Sequence, residues 1–260
     1  MLTLVINLNR SNDRLKRISA RLNELNVNFE RVEAFDGFTL SDDEYKRLTY
    51  PYNHPCRVRF TRELTKGEVG CFISHRKCWQ KLVESNENYA VILEDDLYIS
   101  DKAKQFLTNI NWLPQNVGLI RLSSFYSMNN RLYIKDKSVL NSHNEYSIAK
   151  TLRYAIGTQC YIISKEFAKN AIEMSVKFEC PVDEFLFNRL FEFANTCESW
   201  QLIPSVICQN DNADSTIGVR SKNTRRTSFF VRHGIKRTWI MHKLKSNARK
   251  GDLIHFDCRL

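Results

Sequence analysis

The run Val91-Ile92-Leu93-Glu94-Asp95-Asp96 constrains this chain more than any other feature. Three apolar residues suited to a buried strand lead directly into three adjacent carboxylates. Side chains alternate faces along a strand, so Glu94 and Asp96 are expected to point one way and Asp95 the other. Three neighbouring negative charges repel one another and are costly to bury. A divalent cation among them reverses that balance, because Mg²⁺ and Mn²⁺ prefer carboxylate and water oxygens. In an open α/β sheet, ligands bind at the carboxyl ends of strands. The residues alone leave two readings: a metal site holding a phosphorylated ligand, or an acidic strand-to-loop junction in solvent.

The segments around this run alternate between strand and helix patterns. Leu2–Leu8 reads as a strand. Arg10–Leu25 reads as an amphipathic helix with Leu15, Ile18, Leu22 and Leu25 at helical spacing. Phe29–Phe35 reads as a second strand, closed by Asp36-Gly37. This β-α-β opening favours a parallel sheet. Ser41–Leu48 predicts a short helix capped by Ser41, and Thr49–Arg62, with Pro51 and Pro55, a loop. Lys66–Glu84 predicts a long helix whose apolar face carries Val69, Phe72, Ile73, Trp79, Leu82 and Val83. Further on come a helix at Lys102–Ile110, a strand at Val117–Leu122 and an ambiguous polar stretch at Tyr126–Lys150, either hairpin or mobile loop. A strand at Gln159–Ile163, helices at Lys165–Val176 and Val182–Phe193, and a strand within Ser199–Val206 complete a doubly wound α/β pattern.

A chain of 260 residues with 43% hydrophobic content suits one large domain, or one domain with an appendage. No run approaches the roughly 18 apolar residues of a membrane span. Met1–Ile6 lacks the basic region and cleavage site of a signal peptide and reads as buried strand. None of the eight cysteines forms C-x-x-C, which argues against a zinc site and for reduced thiols in a cytosolic protein. Cys71 and Cys78, a heptad apart, are expected in the core. The net charge of +10 is concentrated at one end. Ser215–Gly251 holds eleven Lys and Arg and no Asp or Glu, and without them 28 basic face 29 acidic residues.

Several local patterns fall in order along the chain. Val5-Ile6-Asn7-Leu8-x-Arg10-x-x-x-Arg14 opens it, and Gly67-Glu68-x-Gly70-Cys71-Phe72-x-Ser74-His75 starts the long helix. Glu94-Asp95-Asp96, Gly157-Thr158-x-x-Tyr161-x-Ile163-Ser164, Pro181-Val182-Asp183 and Ser215-x-Ile217-Gly218 follow. The set resembles glycosyltransferase family 25, the lipooligosaccharide galactosyltransferases of bacterial surface-glycan synthesis. The resemblance implies a GT-A fold, a nucleotide-binding Rossmann-like α/β sheet with an acidic metal motif. It also implies inverting transfer of a hexose from a UDP-sugar, often UDP-galactose, with Mn²⁺ or Mg²⁺ as cofactor and a lipooligosaccharide or glycolipid acceptor.

Under that resemblance Glu94, Asp95 and Asp96 are the counterpart of the D-x-D motif, with Asp96 a direct metal ligand. Glu94 would bind the metal through water or orient the ribose. Asn7, Leu8, Arg10 and Arg14 become donor-site candidates, although Arg14 equally suits a solvated helix face. Asp36 suits a ribose or uracil hydrogen bond, or a plain turn. Ser74 and His75 belong to the donor pocket by their place in the matched pattern, whereas a lone helical His is as readily structural. An inverting transfer needs a base. Asp183, at a helix start that favours its ionised form, is the candidate, with Glu184 in reserve and a helix cap as the alternative. Gly157 and Thr158 suit an acceptor loop or a turn. GT-A enzymes often supply a further metal ligand near the C-terminus, commonly His. Here Asp211, or Gln209, occupies the comparable place.

The expected organisation is a GT-A domain over residues 1–218 and a basic, helical segment over 219–260. Drawn as a helix, Phe229–Leu244 sets Phe229, Phe230, Ile240, Met241 and Leu244 on one side beside Arg232, Lys236 and Lys243, with Arg237 interrupting. That pattern suits an anionic membrane surface and a cytoplasmic protein peripheral on the inner membrane. A solvated basic helix or a nucleic-acid tail are the alternatives, the latter without a supporting motif. Tyr126–Lys150 and Gln209–Lys222 are candidate lids. The rivals to a galactosyltransferase are a UDP-glucose or UDP-N-acetylhexosamine enzyme, a basic nucleic-acid-binding protein with a structural acidic run, and a family-like chain without catalysis.

Overall fold

The structure is a computed structural model. It describes residues 1–51, 62–125, 130–141, 143–152, 157–209, 251–256 and 258, with Asn130, Arg131 and Phe256 described by backbone alone. Asp211, the Ser215-x-Ile217-Gly218 pattern, the Gln209–Lys222 lid beyond its first residue and the Phe229–Leu244 helix lie outside the described residues.

In chain order the elements are β1 (Leu2–Asn7), α1 (Asn12–Glu24), β2 (Glu30–Glu33), α2 (Asp42–Leu48), α3 (Lys66–Glu84), β3 (Tyr89–Leu93), β4 (Leu97–Ile99) and α4 (Lys104–Leu107). There follow β5 (Leu119–Arg121), β6 (Ser123–Phe125), β7 (Asn130–Leu140), β8 (His143–Thr151), β9 (Cys160–Ser164) and α5 (Lys165–Met174). The last are α6 (Val182–Phe187), α7 (Glu192–Thr196), β10 (Trp200–Ile203), β11 (Ile207–Gln209) and β12 (Asp252–Phe256).

A nine-stranded sheet runs in the order β12-β7-β8-β10-β5-β9-β3-β1-β2. The apolar strands are buried on both faces. Leu4, Ile6, Ala90, Ile92, Tyr161 and Ile163 pack with residues of α3, α5 and α6. Val5, Val91, Leu93, Cys160 and Ile162 pack with residues of α1 and α4 on the other face. Continuous apolar runs such as Val91-Ile92-Leu93 follow from that three-layer arrangement.

β1 lies parallel to both β2 and β3, as the β-α-β opening predicts. The parallel arrangement favoured by the opening does not run through the whole sheet, because β9 is antiparallel to both β3 and β5. Between β5 and β9 the described residues form β6 and the β7–β8 hairpin, and among them there is no crossover helix of the kind a parallel return requires. That hairpin occupies most of Tyr126–Lys150. It is paired on one side with β10 and on the other with β12, so the stretch is sheet and not a lid. β12 also shows that the last residues of the basic C-terminal stretch include an edge strand.

Local chemistry sets the helix ends. Thr65 caps α3 through a reciprocal capping box with Glu68, whose buried carboxylate also accepts from Arg62 at 2.7 Å. Ser41 caps α2 in the same manner. α1 ends where Asn26 takes a left-handed conformation, φ 53°. Two expected helices are shorter than their patterns. Lys102–Ile110 becomes a 3-10 turn at Asp101–Ala103 followed by α4. Val182–Phe193 breaks at Asn188, whose extended backbone separates α6 from α7 and whose side chain accepts from Leu190 N at 3.1 Å. An Asn that bonds locally offers the backbone an alternative to helix.

A second, three-stranded sheet, β4-β11-β6, pairs Gln209 with Leu97 and with Phe125. It thereby brings the chain near residue 209 back beside the acidic run.

Candidate active site

A cleft of about 800 Å³, counting its solvent-facing mouth, opens at the carboxyl ends of β1, β2 and β3 with the first turns of α3 as its wall. Glu94, Asp95 and Asp96 all line it, together with Leu8, Arg10, Arg14, Asp36, Ser74 and His75. β3 ends at Leu93, so strand alternation does not extend through the carboxylates. Asp95 and Asp96 both reach Arg14, at 3.3 and 3.6 Å. The expectation that Asp95 turns away from Asp96 is corrected by this early strand end.

The three carboxylates have different partners. Asn7 is buried behind the cleft wall and donates to Asp95 at 2.7 Å and to Ser11 O at 3.0 Å. Burial pushes Asp95 up, against the opposing pull of Asn7 and Arg14. Asp96 is pushed up to about 6 by burial and by Glu94, with the hydrogen bond from Gln209 and the Arg14 charge opposing. One of its oxygens accepts from Gln209 Nε2 at 3.2 Å, and the other, Oδ1, is buried with no hydrogen-bond partner among the described residues. Burial pushes Glu94 up too. His75, Thr158 Oγ1 at 2.7 Å and the Arg14 charge outweigh it and hold Glu94 below its ordinary range.

Behind Glu94 a buried polar chain enters the core. Trp79 Nε1 donates to Tyr161 Oη at 2.9 Å, and Tyr161 Oη lies 2.9 Å from His75 Nδ1. Indole is a donor only, so Tyr161 accepts from Trp79 and its own proton is free to go to His75 Nδ1. The His75 proton then sits on Nε2, 3.5 Å from Glu94 Oε1. That separation is a long charge contact rather than a formed hydrogen bond, and Nε2 has no hydrogen-bond partner.

On the opposite wall, Asp36 forms an ion pair with Arg10 and accepts from Phe38 N at 3.1 Å. The Arg10 guanidinium lies 5.9 Å from the centre of the Phe38 ring. Phe38 is 58% exposed at the cleft rim, unusual for a large apolar side chain with no core to join. Ser74 anchors this wall by donating to Gly70 O at 2.7 Å and accepting from Phe35 N at 2.9 Å. The helix and turn meet so closely that a Cβ on Gly70 would lie 2.5 Å from Gly37 N and 2.7 Å from Phe35 O. Gly37, in turn, sits against the Lys66 carbonyl.

Asp183 lies outside the cleft lining. Its carboxylate accepts from Gly157 N at 3.2 Å and from Glu184 N at 2.9 Å. Gly157 has φ 88°, a conformation that favours glycine. Asp183 is therefore tied to the loop whose next residue, Thr158, holds Glu94. The cap of α6 is Pro181, so Asp183 is not the N-cap. Glu184 accepts from Asn188.

A hard divalent cation fits this chemistry. The cleft carries three carboxylates beside Arg14, and Asp96 presents an oxygen without a partner among the described residues, whose burial a cation would offset. Phe38, Cys71 and Tyr161 were not singled out as site residues by the sequence. The exposed aromatic directly after Asp36-Gly37 was the available signal for Phe38. For Cys71 it was the four-residue spacing to His75. Cys78 is core, as expected, whereas Cys71 lines the cleft.

A sheet with an acidic, cation-fitting cleft at its carboxyl edge defines a class of α/β protein with its ligand site at the strand ends. The family model described as "Glycosyltransferase family 25 (LPS biosynthesis protein)" matches residues 1–186, and the chain belongs to that family. It is 30% identical over 204 residues to the "Lipooligosaccharide biosynthesis protein lex-1" of Haemophilus influenzae, covering 73% of this chain and 66% of that protein. It is 30% identical over 188 residues to the "Procollagen galactosyltransferase 2" of Homo sapiens, covering 70% of this chain and 29% of that protein. The chain thus spans less than two thirds of the length of either relative. A solved structure titled "Crystal structure of a glycosyltransferase involved in the glycosylation of the major capsid of PBCV-1" superposes with a TM-score of 0.33 at 11% identity. That match covers 67% of this chain and 65% of that one, too slight a likeness to assign a fold.

Proposed function

We propose that this chain is a metal-dependent, inverting glycosyltransferase of GT-A type. It transfers galactose from UDP-galactose to a lipooligosaccharide or lipopolysaccharide acceptor glycan. The observation that carries this reading is the buried Asp96 oxygen, without a hydrogen-bond partner among the described residues, beside Glu94 in the cleft. The names of the Haemophilus and human relatives support the acceptor class and the sugar.

Asp96 and Glu94 would hold Mn²⁺ or Mg²⁺, with Gln209 steadying Asp96 and Asp211 as a further ligand. The cation supplies charge stabilisation for the departing nucleoside diphosphate. Arg10 and Arg14 face the same cleft and would pair with phosphate oxygens. Asp36 and the Phe38 ring would receive ribose and uracil, while Leu8 closes the floor. Ser74 holds the wall and His75 the Glu94 side of the donor pocket. In the transfer an acceptor hydroxyl would attack the anomeric carbon, the bond to the diphosphate would break, and the hydroxyl proton would pass to Asp183, which lies outside the cleft lining but is tied through Gly157 to the loop whose Thr158 meets Glu94. Glu184 is the reserve base. Gly157 and Thr158 would border the acceptor. The basic C-terminal segment would place the enzyme on an anionic membrane surface at the cytoplasmic face. Among the described residues no helix is long and apolar enough to cross a membrane.

The test is turnover of a panel of UDP-sugars with Mn²⁺, Mg²⁺ or chelator, comparing wild type with Asp96→Ala. Mn²⁺-dependent turnover of UDP-galactose, lost in the variant, is the expected result. Selective use of UDP-glucose or a UDP-N-acetylhexosamine would replace the donor. Absence of UDP binding under every metal condition would overturn the reading.

A further inference from the structure

We propose that Cys71, His75 and Glu94 form a second, thiophilic metal site in the same cleft, of the kind that takes Zn²⁺. Cys71 and His75 stand four residues apart on α3, one turn of one helix face, and Glu94 meets them from the end of β3. A thiol sulfur, a ring nitrogen and a carboxylate oxygen from the three lie within 4.8 Å of one another. One sulfur, one imidazole and one carboxylate is a donor set that selects zinc-like ions over Mg²⁺ or Mn²⁺. Three protein ligands leave a fourth position open to water or a ligand.

A second observation points to a ligand. His75 is fully buried, and its Nε2, 3.5 Å from Glu94 Oε1, has no hydrogen-bond partner among the described residues. Its other nitrogen is held by Tyr161 Oη, which Trp79 also meets. Metal binding at Nε2 would move the ring proton to Nδ1, which then donates to the phenol oxygen, reversing the metal-free arrangement and giving the outer support a metal-bound imidazole uses. All three ligands line the cleft, so an entry path exists. Binding would form a metal–sulfur bond and release the thiol proton to solvent.

The site shares Glu94 with the hard-metal reading above, yet its readout is independent of sugar transfer. Co²⁺ is the probe, titrated into the full chain and followed by absorption. The expected result is a thiolate-to-cobalt band, quenched by Zn²⁺. It should be absent in Cys71→Ser and retained in Asp96→Ala. Tyr161→Phe should weaken Co²⁺ binding about tenfold or more by removing the outer support. A wild-type chain without the band, or a band that survives in Cys71→Ser, overturns the proposal. Zn²⁺ inhibition of Mn²⁺-dependent turnover that is relieved in Cys71→Ser would further support it. Loss of turnover in Asp96→Ala with the band intact separates the two metal readings.

Discussion

Asp96 illustrates how a single side chain couples stability to function. Its carboxyl is raised to about 6 by burial and by Glu94, above the ordinary value. Between the two values the folded state holds a proton that the unfolded state has lost, so stability falls as pH rises from about 4 to 6. Above pH 6 the full penalty remains, up to roughly 3 kcal/mol for a shift of about two units. Asp96→Asn should therefore raise the melting temperature of the metal-free protein at pH 7 and flatten its decline between pH 4 and 6. The same variant should abolish metal-dependent turnover. A melting temperature at pH 7 unchanged or lowered in the variant would contradict the assigned strain. Phe38 carries the opposite balance, since its exposed ring adds little to the core. Phe38→Ala should weaken UDP binding by about 1–3 kcal/mol, the usual worth of a base–aromatic stack, with stability within about 0.5 kcal/mol. Unchanged UDP affinity by calorimetry would remove the ring from the donor site.

Among the elements, α3 does the most to build the cleft, because its N-terminal turns pack on the β2-to-turn backbone. Gly70→Ala would press a methyl group against Gly37 N and Phe35 O, both backbone atoms. An overpacked contact of this kind costs about 1–3 kcal/mol. Chemical denaturation should show that loss, and the displaced turn carrying Asp36 and Phe38 should raise the donor KM. Wild-type stability in Gly70→Ala would show that the wall yields freely. Tyr161→Phe leaves Trp79 Nε1 and His75 Nδ1 unpartnered in the core, and should cost about 1–3 kcal/mol in the same assay. α3 and β3 match their patterns end to end, because a capping box and a strong periodicity are local signals. The break at Asn188 is not, since the apolar spacing of Val182–Phe193 continues across it and a side-chain hydrogen bond interrupts the helix.

At the scale of the whole molecule the charge is divided. The 28 basic and 29 acidic residues outside Ser215–Gly251 nearly cancel, and the excess lies in that one segment. Binding to vesicles of anionic lipid should be strong at low salt and fall as salt screens it. Reversing Arg225, Arg226, Lys236 and Arg237 to Glu should abolish it with donor turnover unchanged. Truncation is the poorer test, because β12 completes the sheet edge beside β7. Retained vesicle binding in the reversed variant would overturn the membrane role of the segment.

The sequence by itself determined the strands and helices of the β-α-β opening, the long α3 and the acidic run at the tip of β3. Each is written in local periodicity, capping residues or a single apolar run. The order of the motifs was enough to suggest the family to which the chain belongs. Only the tertiary structure decided that β9 runs antiparallel between β3 and β5. Strands buried on both faces read alike in either direction, and direction is set by the connection. It also decided that Gln209 meets Asp96, and that Glu94 joins Cys71 and His75 in one cleft. Those meetings join residues far apart in the chain, through sheet register and helix packing that no local pattern encodes.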